Sequence, residues 1–196
     1  MGLLHWIAIP FKIQANSTLA TLASLIEHPG RTRIPNFLII GPTNNGKTMI
    51  IEKFRRMHPP SVSPGHKYDL IPVVAMQMPA EPTTSRFYAA ILNTLNMPDL
   101  GIRTTTAFEQ ATIRTLKYVR TKVLIIDEIH NLHTGSVSKQ REFLNLLRFI
   151  GNELRLAIVA AGTKDAYLAI RTEVVLRLQK LSEGKHGLAN DHAARE

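Results

Sequence analysis

The segment from residue 41 to residue 48 constrains the fold more than any other part of the chain. It has the sequence Gly-Pro-Thr-Asn-Asn-Gly-Lys-Thr and matches the phosphate-loop (Walker A) pattern G-x-x-x-x-G-K-[ST]. Four consecutive apolar residues, 37–40, lead directly into its first glycine. An apolar-faced segment begins at about Lys47 and stops before Pro59. A strand, a glycine-containing loop and a helix in this order predict one unit of a parallel α/β sheet.

The residue types of this loop suit the binding of a triphosphate. Gly41 and Gly46 permit backbone angles that a side chain disfavours, so that successive amide groups can point at one phosphate chain. The helix that begins at Lys47 adds its positive end, and the lysine reaches the outer phosphates, while the Thr48 hydroxyl suits magnesium. The expected ligands are ATP and Mg²⁺. The residues expected to bind the nucleotide are Gly41, Pro42, Thr43, Asn44, Asn45, Gly46, Lys47 and Thr48.

Apolar runs and helical spacing alternate along the rest of the chain. Further strands are predicted over residues 70–76, 123–126 and 156–161. Helices are predicted over residues 19–26, 84–95, 106–119, 138–150 and 164–170. Residues 61–66 are expected to form a loop, and Pro72 favours an edge position for its strand. The alternation predicts a three-layer α/β fold of the P-loop type, with a parallel sheet and right-handed crossovers.

An acidic pair follows the predicted strand 123–126. The end of a strand beside the phosphate loop is where a Walker B carboxylate holds the magnesium shell of a nucleotide. We expect Asp127 to do so through water, and Glu128 to orient and deprotonate the attacking water. The alternative is that both acids cap the next helix. A small-molecule kinase does not need Glu128, so the pair favours a hydrolysing ATPase.

Three further polar residues have two interpretations each. Thr163 ends the last predicted strand, where it is either a catalytic sensor of the terminal phosphate or the N-cap of the helix that begins at Lys164. His130 and His133 have the spacing of a metal-ligand pair. Because the nearby sequence offers no third ligand, we interpret them as polar loop residues.

Composition limits the remaining classes of function. The chain has 196 residues and no cysteine, which excludes disulfides, zinc–thiolate sites and cysteine catalysis. The apolar residues 2–9 are too few to span a bilayer, and no signal peptide is recognisable, so we expect a cytoplasmic protein.

A net charge of +9 fits a nucleic-acid partner and a basic solvated surface equally well. The basic residues form three clusters along the chain. They are Lys53, Arg55 and Arg56; Arg114, Lys117, Arg120 and Lys122; and Lys139 and Arg141.

Three runs, residues 36–54, 124–132 and 156–166, resemble the TniB family of AAA+ transposition ATPases. The most specific feature is the pair Asn44 and Asn45 inside the phosphate loop, and the resemblance extends from about Trp6 to Arg171. It implies an ATPase that assembles on double-stranded DNA as an ATP-dependent homo-oligomer and links a DDE transposase to its target, often with a TniQ-type targeting protein. It further implies the nucleotide, magnesium and sensor roles given above for residues 41–48, Asp127, Glu128 and Thr163.

Beyond Arg171 the sequence departs from the family pattern. The resemblance implies a Glu-Arg-Phe-like stretch with an arginine finger, then a fifth strand and a helical lid. Here Leu178 stands at the finger position, with Arg177 one place earlier, and no strand or lid is recognisable. We therefore expect an open sheet edge at residues 37–40, weak ATP binding, and hydrolysis slowed by roughly 10³-fold or more.

These expectations divide the chain into three parts: an N-terminal helical segment (1–34), a P-loop AAA+ core (35–171) and an irregular tail (172–196). Two alternative functions fit the same motifs. A non-hydrolysing DNA-binding scaffold would use the nucleotide for assembly alone. A replication initiator or helicase loader of the AAA+ type would share every motif except the asparagine pair and its flanking runs.

Overall fold

The computed structural model describes residues 6–10, 15–27, 34–62, 69–97, 101, 103–134 and 136–166. Its elements are β1 (Trp6–Pro10), α1 (Ala15–Ile26), β2 (Asn36–Ile40), α2 (Lys47–Met57), β3 (Ser61–Val62), β4 (Asp69–Leu70), β5 (Val73–Gln77), α3 (Thr84–Thr94), α4 (Thr105–Tyr118), β6 (Val123–Asp127), a 3-10 helix (Ile129–Thr134), α5 (Val137–Leu154) and β7 (Ala157–Gly162). The predictions for residues 167–196, including the tail, the lid and Arg177 and Leu178, lie outside the described residues.

Five strands form one sheet in the order β1-β2-β7-β6-β5, and all four neighbouring pairs are parallel. Strand β7 is central and separates β2, which leads into the phosphate loop, from β6, which ends at Asp127. The prediction of a P-loop type α/β fold with a parallel sheet is therefore confirmed.

Helices cover both faces of this sheet. On one face the strands pack against α1 and α2 in a cluster that includes Leu22, Ile39, Phe54, Ile125 and Val159. On the other face they pack against α3, α4 and α5 in a cluster that includes Leu38, Phe87, Leu124, Leu147 and Ile158. Because both faces are buried, β2, β6 and β7 are apolar at successive positions, where a half-exposed strand would alternate.

Strand β1 is not predicted by the sequence pattern, which assigns residues 1–34 to a helical segment. Helix α1 lies in that segment, but β1 precedes it and pairs with β2 from Trp6 opposite Asn36 to Pro10 opposite Ile40. The expectation of an open edge at residues 37–40 is wrong, because β1 pairs with that edge of β2.

Two smaller differences concern the segment between α2 and β5. Residues 61–62 form strand β3, which pairs antiparallel with β4, where a loop over 61–66 was expected. The predicted strand 70–76 is divided at Pro72, whose carbonyl accepts a hydrogen bond from Val123 N (3.0 Å). The predicted edge position is confirmed, since β5 is the last strand in the sheet order.

No helix in the described part of the chain is long and apolar enough to cross a membrane.

A pair of proline substitutions tests the position of β1. Adjacent residues of a strand direct their N–H groups to opposite sides, so only one of Ile7→Pro and Ala8→Pro removes a hydrogen bond to β2. That variant is expected to lose about 1–3 kcal/mol of unfolding free energy, because a β2 carbonyl is left unpaired. The other variant serves as the control and should lose less. Urea unfolding measures the stability of both variants. If neither substitution lowers the unfolding free energy, the pairing of β1 with β2 is contradicted.

Candidate nucleotide site

The predicted site segments lie at the carboxyl ends of three adjacent strands. Strand β2 ends at Ile40, and Gly41 N then donates to the carbonyl of Gly162 at the end of β7 (3.1 Å). On the other side of β7, strand β6 ends at Asp127. Parallel α/β sheets bind ligands at this edge, so the fold brings residues 41–48, the acidic pair and Thr163 to one place.

Two residues of the loop have a left-handed backbone. The φ angle is 55° at Asn44 and 79° at Gly46. Gly46 is the N-cap of α2, and its carbonyl accepts a hydrogen bond from Ile50 N (3.2 Å). Glycine adopts this conformation without steric cost, and asparagine tolerates it better than most residues. The asparagine at position 44 therefore has a conformational reason, which the sequence pattern alone does not reveal.

The ammonium group of Lys47 lies inside the loop. The residue is only 6% exposed, and its Nζ donates to the carbonyls of Gly41 (3.0 Å) and Pro42 (2.7 Å). No carboxylate within the described ranges forms an ion pair with it. A buried ammonium needs hydrogen-bond partners, and here the loop carbonyls supply them. A phosphate oxygen in the same place would be a charged acceptor for the same donor.

Thr48 and Asp127 join α2 to β6. The Thr48 Oγ1 hydroxyl donates to Asp127 Oδ2 at 2.6 Å across 79 positions of sequence. The other carboxylate oxygen of Asp127 accepts from Glu128 N (2.8 Å), and the residue is 8% exposed. A hydroxyl and a carboxylate are oxygen donors of the kind that Mg²⁺ prefers, and Mg²⁺ in nucleotide sites takes few protein ligands besides phosphate and water. The donor set therefore fits a nucleotide-bound Mg²⁺.

Glu128 is held in an uncommon conformation. Its φ angle is 56°, which is in the left-handed region. Its carbonyl accepts a hydrogen bond from Asn131 N (3.0 Å), and its Oε2 lies 2.9 Å from His130 Nε2. The acids do not cap α5, because Ser136 does so by accepting from Lys139 N.

The 3-10 helix Ile129–Thr134 is not predicted, since six residues are too few to show helical spacing of apolar side chains. It contains both His130 and His133. Nδ1 of His130 is buried and has no hydrogen-bond partner in the described structure. Asn131 Nδ2 donates to the carbonyl of Met78 (3.0 Å), and Met78 N donates to the carbonyl of Asp127 (2.9 Å). These bonds attach the helix to the end of β5. Over the same part of the chain, no group of three His, Cys, Asp or Glu side chains could hold a metal ion.

Thr163 directly follows β7 and is half-buried, and residues 164–166 form a helical turn after it. Its side chain accepts no hydrogen bond from residues 164–166, so the bond that would define an N-cap is not formed within the described structure.

The family model described as Bacterial TniB protein matches residues 4–181. The chain belongs to the TniB family. This membership indicates a helper protein of bacterial transposition, and the family is nucleotide-binding. The match includes every site segment and continues past Arg171 into the stretch assigned above to the tail. A comparison with curated proteins finds no match.

A glycine that sequence analysis does not single out shapes the site of this TniB family member. A Cβ at Gly162 would lie 2.7 Å from Ile129 Cγ2 and 3.2 Å from Ala166 Cβ. The absence of a side chain at the end of β7 therefore allows the 3-10 helix, which carries His130, to pack against that strand.

Many of the basic side chains in this TniB protein have local partners. Arg55 and Arg56 both bond Glu52 (3.1 Å each), and the Arg55 hydrogen bond, then that of Arg56, lowers the pKa of Glu52. Lys117 pairs with Glu153 (2.7 Å), and Lys122 donates to the carbonyl of Ile26 (2.9 Å). Exposed basic residues without an ion pair to any described residue include Lys53, Arg114 and Arg120.

Gly162→Ala is expected to destabilise the protein by about 1–3 kcal/mol, because the added methyl group overlaps Ile129 and displaces the 3-10 helix. The matched control is Gly151→Ala in α5, where the nearest atom to the new Cβ lies at 3.4 Å. That change is expected to be neutral or slightly stabilising, since alanine favours helix. Chemical denaturation compares the two variants, and equal stabilities would contradict the close packing at Gly162.

Proposed function

We propose that this TniB family member binds ATP and Mg²⁺ in the loop 41–48 and acts as an AAA+ ATPase in DNA transposition. The observation that carries the proposal is the convergence of the buried Lys47 ammonium with the Thr48–Asp127 hydrogen bond at one edge of the sheet. A buried cation at a helix N-terminus suits a polyanionic ligand. The adjacent hydroxyl and carboxylate suit a divalent cation.

Each residue has a distinct proposed role. Lys47 exchanges its two carbonyl partners for oxygens of the outer phosphates, and Gly46 lets the loop amides face the same phosphates. Thr48 and Asp127 hold Mg²⁺, Asp127 through water. When bound, Mg²⁺ neutralises charge on the phosphates.

Hydrolysis is proposed to depend on Glu128 as the general base and on Thr163 as the sensor of the terminal phosphate. Glu128 has a polar partner in His130 and a backbone fixed on both sides, as a base that must orient one water requires. Since the arginine finger implied by the resemblance has no counterpart at Leu178, we propose that turnover by the chain alone is slow.

The proposed partners are double-stranded DNA, a DDE transposase, a TniQ-type targeting protein and further copies of the same chain, in the bacterial cytoplasm. Family membership and the excess of basic residues support the DNA proposal. Arg120 precedes β6, so it lies at the end of the sheet opposite the acidic pair. DNA contacts there would be separate from the nucleotide.

Isothermal titration calorimetry with ATP and Mg²⁺ tests the nucleotide proposal. Lys47→Ala is expected to weaken binding by at least about tenfold, because charge-assisted hydrogen bonds to phosphate are lost. Lys53→Ala, an exposed lysine on the same helix, is the matched control and should bind as the unmodified protein does. The proposal is wrong if the unmodified protein releases no heat with ATP, or if both variants bind equally well.

A salt titration of duplex binding tests the DNA proposal. Arg114→Ala is expected to weaken binding and to reduce the slope of log K against log salt by about 1, because one phosphate contact is lost. Lys117→Ala is the control on the same face of α4, since that lysine is engaged with Glu153. Its effect should be smaller. Fluorescence anisotropy with labelled duplex measures both, and a slope near zero for the unmodified protein would exclude electrostatic DNA binding.

A further inference from the structure

We infer that His130 is a positioning residue that fixes the carboxylate of Glu128 for attack of water on the nucleotide. The inference rests on the proposed function, because it assigns a task to a second side chain of the same site.

The contact itself is direct. Nε2 of His130 lies 2.9 Å from Oε2 of Glu128, and the two side chains are 31% and 30% exposed. A carboxylate only accepts hydrogen bonds, so a bond between these two atoms requires the imidazole to donate through Nε2–H. Nδ1 of the same ring is buried without a partner among the described residues. Among the described residues, the carboxylate of Glu128 is therefore the polar partner of this imidazole.

The backbone of Glu128 is already fixed before the side chain is considered. Its N–H donates to Asp127 Oδ1 (2.8 Å), its carbonyl accepts from Asn131 N (3.0 Å), and its φ angle is 56°. An unfavourable φ persists where the surroundings determine the conformation. The remaining torsions are those of the long Glu128 side chain, and we infer that the contact with His130 at 2.9 Å restrains them.

The 3-10 helix that carries His130 is itself held in place by neighbouring strands. This helix is bonded to the end of β5 through Asn131 and Met78 (3.0 Å). On the β7 side, Gly162 lets the same helix approach until the backbone N of His130 lies 3.6 Å from where a Cβ of residue 162 would be. The helix that carries His130 is therefore positioned by contacts at the ends of β5 and β7, the two neighbours of β6.

The arrangement leaves one carboxylate oxygen for chemistry. Oε2 of Glu128 lies against His130, and no described residue bonds Oε1, which is proposed to accept from a water molecule. In the proposed step the water oxygen bonds to the γ-phosphorus of ATP and the bond from that phosphorus to the bridging oxygen of ADP breaks. The electron pair of that bond leaves with ADP, and the proton of the water passes to Oε1 and then to phosphate. His130 takes no part in the proton transfer; it fixes the direction of the accepting oxygen.

The test is single-turnover hydrolysis with excess protein over ATP, together with the Kd for ATP. His130→Leu is expected to slow hydrolysis by roughly tenfold to a hundredfold, the range for removing a residue that orients a catalytic group, with ATP affinity changed by less than about twofold. His130→Gln should restore most of the rate, since its amide donates at similar reach, whereas the shorter His130→Asn should not. In a Glu128→Gln background, His130→Leu should cause no further loss.

Three results would overturn the inference. They are an unchanged rate in His130→Leu, an equal loss of rate in the Gln and Asn variants, and an additive loss in the Glu128→Gln background. If His130→Leu does not fold, the Gln and Asn pair decides it alone. An unmodified protein that binds ATP and never cleaves it also overturns the inference but leaves nucleotide binding intact, whereas failure to bind ATP refutes the proposed function itself.

Discussion

The pairing of β7 between β2 and β6 is the constraint on which the candidate site depends. Strand β7 is buried along its whole length, and its last residues, Ala160, Ala161 and Gly162, have small side chains or none. The carbonyl of Gly162 accepts a hydrogen bond from the first amide of the phosphate loop, and the missing side chain at Gly162 lets Ile129 pack closely against the end of β7. Thr48, in the helix that follows β2, and Asp127, at the end of β6, meet although β2 and β6 are not neighbours in the sheet.

The sequence predicts the parts of this fold whose physical signal is local. Strands covered on both faces appear as apolar runs, and the glycine and lysine spacing of residues 41–48 marks the phosphate loop with its helix. Strand β1 has an apolar run as well, but nothing in it tells where in the sheet it pairs. The contact of His130 with Glu128 depends on a left-handed residue that the local sequence does not encode, and the role of Gly162 depends on a helix from elsewhere in the chain.

Charge shows a similar limit of sequence analysis. The net charge of +9 suggests a broad basic surface, yet Arg55 and Arg56 share one glutamate, and Lys122 bonds the last carbonyl of α1. These side chains stabilise helix ends and surfaces, which is the usual role of basic residues near a helix C-terminus. Among the described residues, the basic side chains that remain for a polyanion are therefore fewer than the composition implies, and they include Lys53, Arg114 and Arg120.

Strand β1 has a consequence for how the chain folds during synthesis. β1, α1 and β2 form a contiguous β-α-β unit, whereas β2 meets its other neighbour, β7, only after more than a hundred further residues have been added. Contacts between distant segments form slowly, and an uncovered strand is prone to aggregate in the meantime. One edge of the phosphate-loop strand β2 can therefore be paired by β1 early in synthesis. Only the partner of its other edge, β7, is synthesised late.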